Sequence, residues 1–124
     1  MAAADLEALD RLRDAINSHD PARVASCFTE DFHSEVPHHP ERSFTGAHHV
    51  VANWTAIFAM APNLTAGILR SAVNGIEAWS EWEMVGNRAD GSAVVMAGPA
   101  ITTTRGGKIA SARFYLDVVD APPR

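Results

Sequence analysis

The sequence contains a single cysteine, Cys27, so it can form neither an internal disulfide nor a zinc site with several cysteine ligands. It has no apolar run of about eighteen residues, and no apolar segment near its N-terminus resembles a signal peptide. We therefore expect a cytoplasmic protein with no membrane partner. Phosphate-binding patterns such as GxGxxG or the Walker loop are also missing, so we expect no cofactor.

Positive charge is scarce as well. Ten Lys and Arg residues against fifteen Asp and Glu residues give a formal net charge of -5, and the basic residues are scattered along the chain. Proteins that bind nucleic acid concentrate basic residues on one surface, so nucleic acid is not an expected partner.

The first half of the chain shows three helical patterns. Asp5 is a suitable N-cap for a helix over about 5–17, in which leucines recur at three- and four-residue spacing. Asp20 and Pro21 begin a short second helix, which ends near residue 28. A third helix is predicted in the segment GAHHVVANWTAIFAMAP, where the final proline stops it. The apolar face of this third helix consists of Val50, Trp54, Ile57 and Phe58.

The second half changes to a two-residue period, and the turn sequences VNGIE, RADGS and TRGGKI recur at regular intervals. This pattern predicts an antiparallel meander of long strands, which must be twisted and curved. The chain is therefore expected to be one α+β domain over 1–119, followed by a flexible tail over 120–124. The predicted strands cover about 64–73, 76–86, 93–104 and 108–119.

The order of these elements carries a family resemblance. A first helix, the segment HDPARVASCFTEDF, the segment HPERSFTG, a helix containing a tryptophan and a phenylalanine, and a meander closing on GGKIASARFYLD follow one another. This order resembles the SnoaL-like branch of the nuclear transport factor 2-like superfamily. The resemblance implies a cone-shaped, cystatin-like α+β barrel. In it, a curved, mixed but mostly antiparallel sheet carries three helices from the N-terminal half on its concave face, over a pocket.

The resemblance also implies a homodimer formed on the other side of the sheet, but it implies no single activity. The superfamily includes ketosteroid isomerases, limonene-type epoxide hydrolases, polyketide cyclases, dehydratases and proteins without catalysis. Compared with the epoxide hydrolases, Trp82, Met84 and Phe114 stand where those enzymes carry an arginine and two aspartates. Compared with the isomerases, Leu12 and Val36 stand at the catalytic tyrosine and aspartate. Neither of these two activities is therefore expected.

Turn register predicts which strand residues share a face. If Asp90-Gly91 and Gly106-Gly107 are two-residue turns, side chains of three strands align in rows. The apolar rows are Trp82–Pro99–Phe114 and Met84–Ala97–Leu116, and the polar rows are Glu81–Ala100–Arg113 and Glu83–Gly98–Tyr115.

The apolar rows are expected to face inward, because isolated carboxylates are costly inside an apolar cone. The pocket is then lined by Trp54, Phe58, Trp82, Met84, Phe114 and Leu116. The polar rows are expected to form a partly solvated surface at the homodimer contact, with Glu81, Glu83, Arg113 and Tyr115.

Five of the six histidines lie in the segment DFHSEVPHHPERSFTGAHHV. His33 and Glu35 share one face of a strand that points either into the pocket or to a solvated edge. If they point inward, they are the candidate catalytic pair, a general base and its partner. His38 and His39 are expected at the pocket mouth. No single element carries the HxH or HxxxH spacing of metal ligands, so no metal site is predicted.

Two main classes of function remain open, besides a third hypothesis of an accessory protein that heterodimerises through the sheet. One is an enzyme that moves protons on a hydrophobic, cyclic or polyketide-like substrate without a cofactor, as an isomerase, cyclase or dehydratase does. The alternative is a non-catalytic module of the same fold that binds a small molecule or dimerises. Either way, the expected partners are a small hydrophobic molecule and a second copy of the chain.

Overall fold

The three predicted helices form, and two of them begin at their predicted capping residues. In the computed structural model, which describes residues 5–119, helix α1 covers Leu6–Asn17 and helix α2 covers Pro21–Ala25. The carboxylate of Asp5 accepts a hydrogen bond from the Ala8 amide, and that of Asp20 accepts one from Ala22. Helix α3 covers His48–Met60. None of the described helices is long and apolar enough to cross a membrane. The tail predicted over 120–124 lies outside the described residues.

Seven strands form one curved sheet in the order β2-β1-β6-β5-β4-β3, with β7 beside β5. Among the strands of residues 5–119, only β1 and β6 pair in parallel, and the other pairs are antiparallel. The α+β class with a mixed, mostly antiparallel sheet is thus confirmed. The strands are β1 (Phe28–Glu35), β2 (Phe44–Thr45), β3 (Thr65–Asn74), β4 (Glu77–Asn87), β5 (Ala93–Arg105), β6 (Lys108–Phe114) and β7 (Asp117–Val118).

The core lies between the helices and the concave face of the sheet. Helix α1 supplies most of the helical part, since Leu9 and Ile16 are each only 1% exposed. Burying one such side chain contributes roughly 1.5–3 kcal/mol. From the sheet, Phe32, Trp82 and Met84 belong to the same buried cluster. Helix α3 contributes less, because Val50 is its only buried residue.

The register predicted for the middle strand is wrong by one residue. Strands β4 and β5 are joined by a five-residue loop over 88–92 rather than by a two-residue turn, because Asn87 pairs with Ala93. The Arg88 amide donates to the Ser92 carbonyl across this loop. Trp82 therefore pairs with Gly98, not with Pro99.

A second irregularity compensates for the first. A bulge in β6 shifts the β5–β6 register by one, so that Ala100 lies opposite Phe114. The two shifts cancel, and Phe114 stays on the concave face with Trp82 as predicted. Only the side chains of β5 lie on the faces opposite to those predicted. Ala100 is 1% exposed and faces the core, whereas Pro99 pairs with Glu81 on the convex face, contrary to the predicted rows.

The last predicted strand is interrupted after Phe114, where its backbone passes Gly98 of β5. Strand β6 ends at Phe114, and β7 resumes pairing with β5 at Asp117. Between them, the Tyr115 backbone crosses close to Gly98, which has a φ of +143°. A Cβ atom on Gly98 would lie 2.6 Å from the Tyr115 carbonyl oxygen. Only glycine fits this crossing, which carries Leu116 and Asp117 to their places.

We predict that Gly98→Ala destabilises the protein by at least about 1–3 kcal/mol, because both the backbone angle and the Tyr115 carbonyl oppose a side chain. Gly67→Ala is the matched control. Gly67 lies in β3, and the nearest atom to its added Cβ is 4.0 Å away. The control should be neutral or slightly stabilising. Urea unfolding of both variants checks this, and equal midpoints would contradict the account of the crossing.

Candidate functional site

An apolar cavity of about 220 Å³ lies between α1, α3 and the concave face of the sheet. Its apolar lining residues come from both halves of the chain and include most of the predicted inward face. They are Leu9, Leu12, Ile16, Phe28, Phe32, Val36, Phe44, Val50, Trp54, Ile57, Trp82, Met84, Met96, Ala100, Phe114 and Leu116.

The structure places five of the six predicted apolar pocket residues in this wall: Trp54, Trp82, Met84, Phe114 and Leu116. Phe58 is not in the wall. The centroid of its ring lies 5.5 Å from that of Trp54 and 5.2 Å from that of His19, so Phe58 packs against a wall residue without lining the cavity. Helical periodicity finds the apolar face of α3, but it does not separate residues that touch the cavity from those that pack beside them.

Of the two orientations that the sequence left open for the candidate catalytic pair, the structure shows the solvated one. Strand β1 pairs with β6 so that Ser34 lies beside Ala112, and both are buried on the concave side. His33 and Glu35 therefore point to the convex side, where their side chains are 49% and 44% exposed.

The convex-side contacts of this pair are those of a solvated ion-pair network. His33 Nδ1 lies 2.9 Å from the Thr45 hydroxyl. Nη1 of Arg113 donates to Oε2 of Glu35 at 2.9 Å. Glu35 thus faces a guanidinium rather than an apolar wall, and it lacks the desolvation that a buried general base requires.

Four polar residues complete the cavity lining: Ser34, Arg42, Asn53 and Thr102. The Thr102 hydroxyl donates to the Ala78 carbonyl. The Trp82 indole is also satisfied internally, because it donates to the Ser80 hydroxyl at 2.8 Å. No Asp, Glu, His, Lys, Cys or Tyr of residues 5–119 lines the cavity. The wall is suited to holding an apolar molecule and carries no general acid or base.

A titratable pair lies beside the rim instead. His39 Nε2 lies 2.8 Å from Oδ2 of Asp117, the residue that follows Leu116 of the cavity wall. This hydrogen bond, together with one from the Val118 amide, lowers the pKa of Asp117 below its ordinary value. A carboxylate can only accept, so Nε2 carries the proton of this hydrogen bond, and Nδ1 lies 3.7 Å from Oε1 of Glu41.

Neither predicted mouth histidine lines the cavity itself. His39 contacts Asp117, which follows Leu116 of the wall but does not line the cavity itself. The His38 ring packs edge-on against Tyr115 at 5.5 Å. The sequence gives no signal for the His39–Asp117 pair, because 78 residues separate the partners. Within residues 5–119, no group of three or more His, Cys, Asp or Glu side chains could hold a metal ion.

The convex face carries the four residues predicted for a dimer contact. Nε of Arg70 lies 2.9 Å from Oε1 of Glu81, and Nη2 of Arg113 donates to the Tyr115 hydroxyl at 3.1 Å. Glu83 alternates with Glu81 along β4 and is exposed. Two apolar side chains on the same face of β4, Trp79 and Val85, are 42% and 40% exposed.

Similar folds occur among solved structures. A hypothetical protein with a ketosteroid isomerase-like fold from Catenulispora acidiphila, in complex with trimethylamine, is 22% identical. The match covers 88% of this chain and 85% of that one, with a TM-score of 0.73. An NTF2-like protein of unknown function from an Exiguobacterium species is 17% identical over 92% and 99% of the chains, with a TM-score of 0.73.

IdmH from Streptomyces antibioticus, described as "a putative polyketide cyclase", is 16% identical over 90% and 91% of the chains, with a TM-score of 0.77. No curated protein matches the sequence. At these identities the likeness shows the fold alone. The family model of the SnoaL-like domain, however, matches residues 9–112. The resemblance carried by the sequence motifs is thereby confirmed, and the chain belongs to the SnoaL-like family.

Proposed function

We propose that the protein binds a small hydrophobic molecule in the cavity between its helices and the concave face of its sheet. The observation that carries this proposal is the chemistry of the wall, in which all lining residues but four are apolar and none is an acid or a histidine. Binding sites for small molecules commonly combine an apolar wall with a few polar groups.

The size of the cavity limits the ligand. Its volume of about 220 Å³ exceeds the roughly 150 Å³ of an engineered cavity that binds benzene. It falls below the roughly 300–1,000 Å³ of sites for drug-sized ligands. These values favour a molecule with one ring and a short substituent over a polycyclic polyketide or a steroid.

A second candidate function is proton transfer at the rim, and the His39–Asp117 pair favours it. The carboxylate orients the imidazole, and Nδ1 is then the base that removes a proton from a ligand projecting out of the cavity. In this version of the enzyme hypothesis, His39 and Asp117 replace His33 and Glu35. The supporting geometry is their 2.8 Å contact next to Leu116.

We also propose that the convex face forms a homodimer contact. Support comes from the exposed Trp79 and Val85 beside the ion pairs of Glu81 and Arg113. Tryptophan and arginine are enriched at protein interfaces, where an apolar centre is surrounded by polar groups.

For the binding function, we predict that Ala100→Leu weakens toluene binding by at least about tenfold, because the larger side chain occupies the cavity. Ala97→Leu, on the convex side of the same strand, is the control and should bind like the parent. The rise in melting temperature with toluene concentration measures binding, since a ligand of the folded state stabilises it by mass action. Failure of the parent to bind, or unimpaired binding by Ala100→Leu, would rule out the cavity as the site.

For proton transfer, we predict that the protein accelerates the exchange of the α-hydrogens of cyclohexanone for deuterium in D₂O. Asp117→Asn and His39→Gln should each reduce this acceleration at least about tenfold, as expected for loss of a general base or its partner. Asp90→Asn, in the 88–92 loop, is the control. Proton NMR measures the exchange. An exchange rate equal to that in buffer alone would contradict the proton-transfer function.

For the dimer, light scattering of the parent at micromolar concentration should give twice the chain mass. Trp79→Glu should give a monomer, because it places an additional carboxylate at the centre of the contact. Val51→Glu is the control, since Val51 is 40% exposed on α3. A monomeric parent, or a dimeric Trp79→Glu variant, would contradict this interface.

A further inference from the structure

The cavity has a polar end whose groups lack partners. Arg42 and Asn53 are exposed residues that reach the lining from the 3₁₀ turn (Pro40–Arg42) and from α3. Within residues 5–119, neither side chain makes a hydrogen bond or an ion pair, although most of the other arginines there do. Arg42 is also the only charged residue in the lining. The opening therefore combines a free guanidinium with a free amide.

The carboxylate beside Arg42, that of Asp117, already has hydrogen-bond partners other than Arg42. Arg42 is close enough to Asp117 for its charge to help lower the pKa of that carboxyl group. However, Oδ2 of Asp117 contacts His39 and its Oδ1 accepts from the Val118 amide. Asp117 makes no hydrogen bond to the guanidinium. Arg42 is thus left with donors that a planar anion could accept in pairs.

A second polar group without a partner lies deeper. Ser34 is 1% exposed and lines the cavity, and its hydroxyl makes no hydrogen bond within residues 5–119. The hydroxyl is therefore available to hydrogen-bond with a molecule in the cavity. The lining thus provides one buried hydroxyl in addition to the two exposed groups at the opening.

We infer that the ligand is a small aryl or alicyclic carboxylate, with its carboxylate at Arg42 and Asn53 and a hydroxyl or carbonyl group of its ring at Ser34. This inference rests on the proposed binding function and adds the class of ligand. The apolar wall holds the ring, and the cavity volume fits one ring with a short chain.

The test uses three probes of equal length: 3-phenylpropanoate, its amide, and 3-phenylpropylamine. Trp54 and Trp82 line the cavity, so tryptophan fluorescence reports binding, and calorimetry gives the dissociation constants. The carboxylate should bind at least about tenfold more tightly than the amide, and the amine most weakly. In Arg42→Gln the carboxylate should lose this advantage, and in Arg42→Lys it should keep part of it.

Arg23→Gln is the matched control, since Arg23 is an exposed arginine of α2 that does not line the cavity. It should bind all three probes like the parent. The buried end is tested with 3-(4-hydroxyphenyl)propanoate, which should bind more tightly than 3-phenylpropanoate to the parent and equally to Ser34→Ala. Circular dichroism establishes that each variant is folded.

The results separate this inference from the proposed function. If toluene binds and Ala100→Leu blocks it, while the carboxylate binds no better than the amide, the cavity is a binding site but its ligand is not an anion. A carboxylate preference that survives in Arg42→Gln would equally overturn the role of Arg42. If 3-(4-hydroxyphenyl)propanoate bound the parent no more tightly than 3-phenylpropanoate, the role proposed for Ser34 would be overturned.

Discussion

The parallel pairing of β1 with β6 decides which chemistry the cavity contains. In the observed register, Ser34 lies beside Ala112 and Glu35 beside Arg113. A shift of one residue would bring His33 and Glu35 into the cavity and expel Ser34. One side-chain contact crosses between the two strands in this register: Glu35 pairs with Arg113 on the convex side. The same register keeps Ser34 and Ala112 buried on the concave side. The apolar wall follows from this register.

The sequence predicts the elements that depend on local interactions. Caps at Asp5 and Asp20 place the starts of two helices, because a short carboxylate there satisfies a free amide at each helix end. Alternation places Trp82 and Met84 on one face of β4, since a strand residue and its second neighbour share a face. The prediction that Phe114 shares this face also used the turn registers, and it holds because the two one-residue shifts cancel. The reversal of β5 was not predictable in this way. It depends on whether a loop has two or five residues and on one bulge, and RADGS fits either loop.

The candidate site was predictable only in its apolar part. The rim pair His39–Asp117 joins residues far apart in sequence, and it requires the crossing at Gly98 that carries Asp117 toward the 3₁₀ turn. The lack of partners for Arg42 and Ser34 is likewise a property of the folded chain. A sequence shows which polar groups exist, but not which of them the fold leaves without a hydrogen bond.

The distribution of core contacts gives helix α3 a distinct role. Helix α1 buries five residues, whereas α3 buries only Val50 and holds Trp54 and Ile57 half-buried against the cavity. An element with few buried contacts opens at a lower free-energy cost than the rest of the fold. A ligand in the cavity would supply the contacts that Trp54 and Ile57 lack, and it would bring its polar end next to Asn53 on the same helix. Ligand entry and the ordering of α3 are therefore expected to be coupled, with α1 and the sheet as the fixed side of the site.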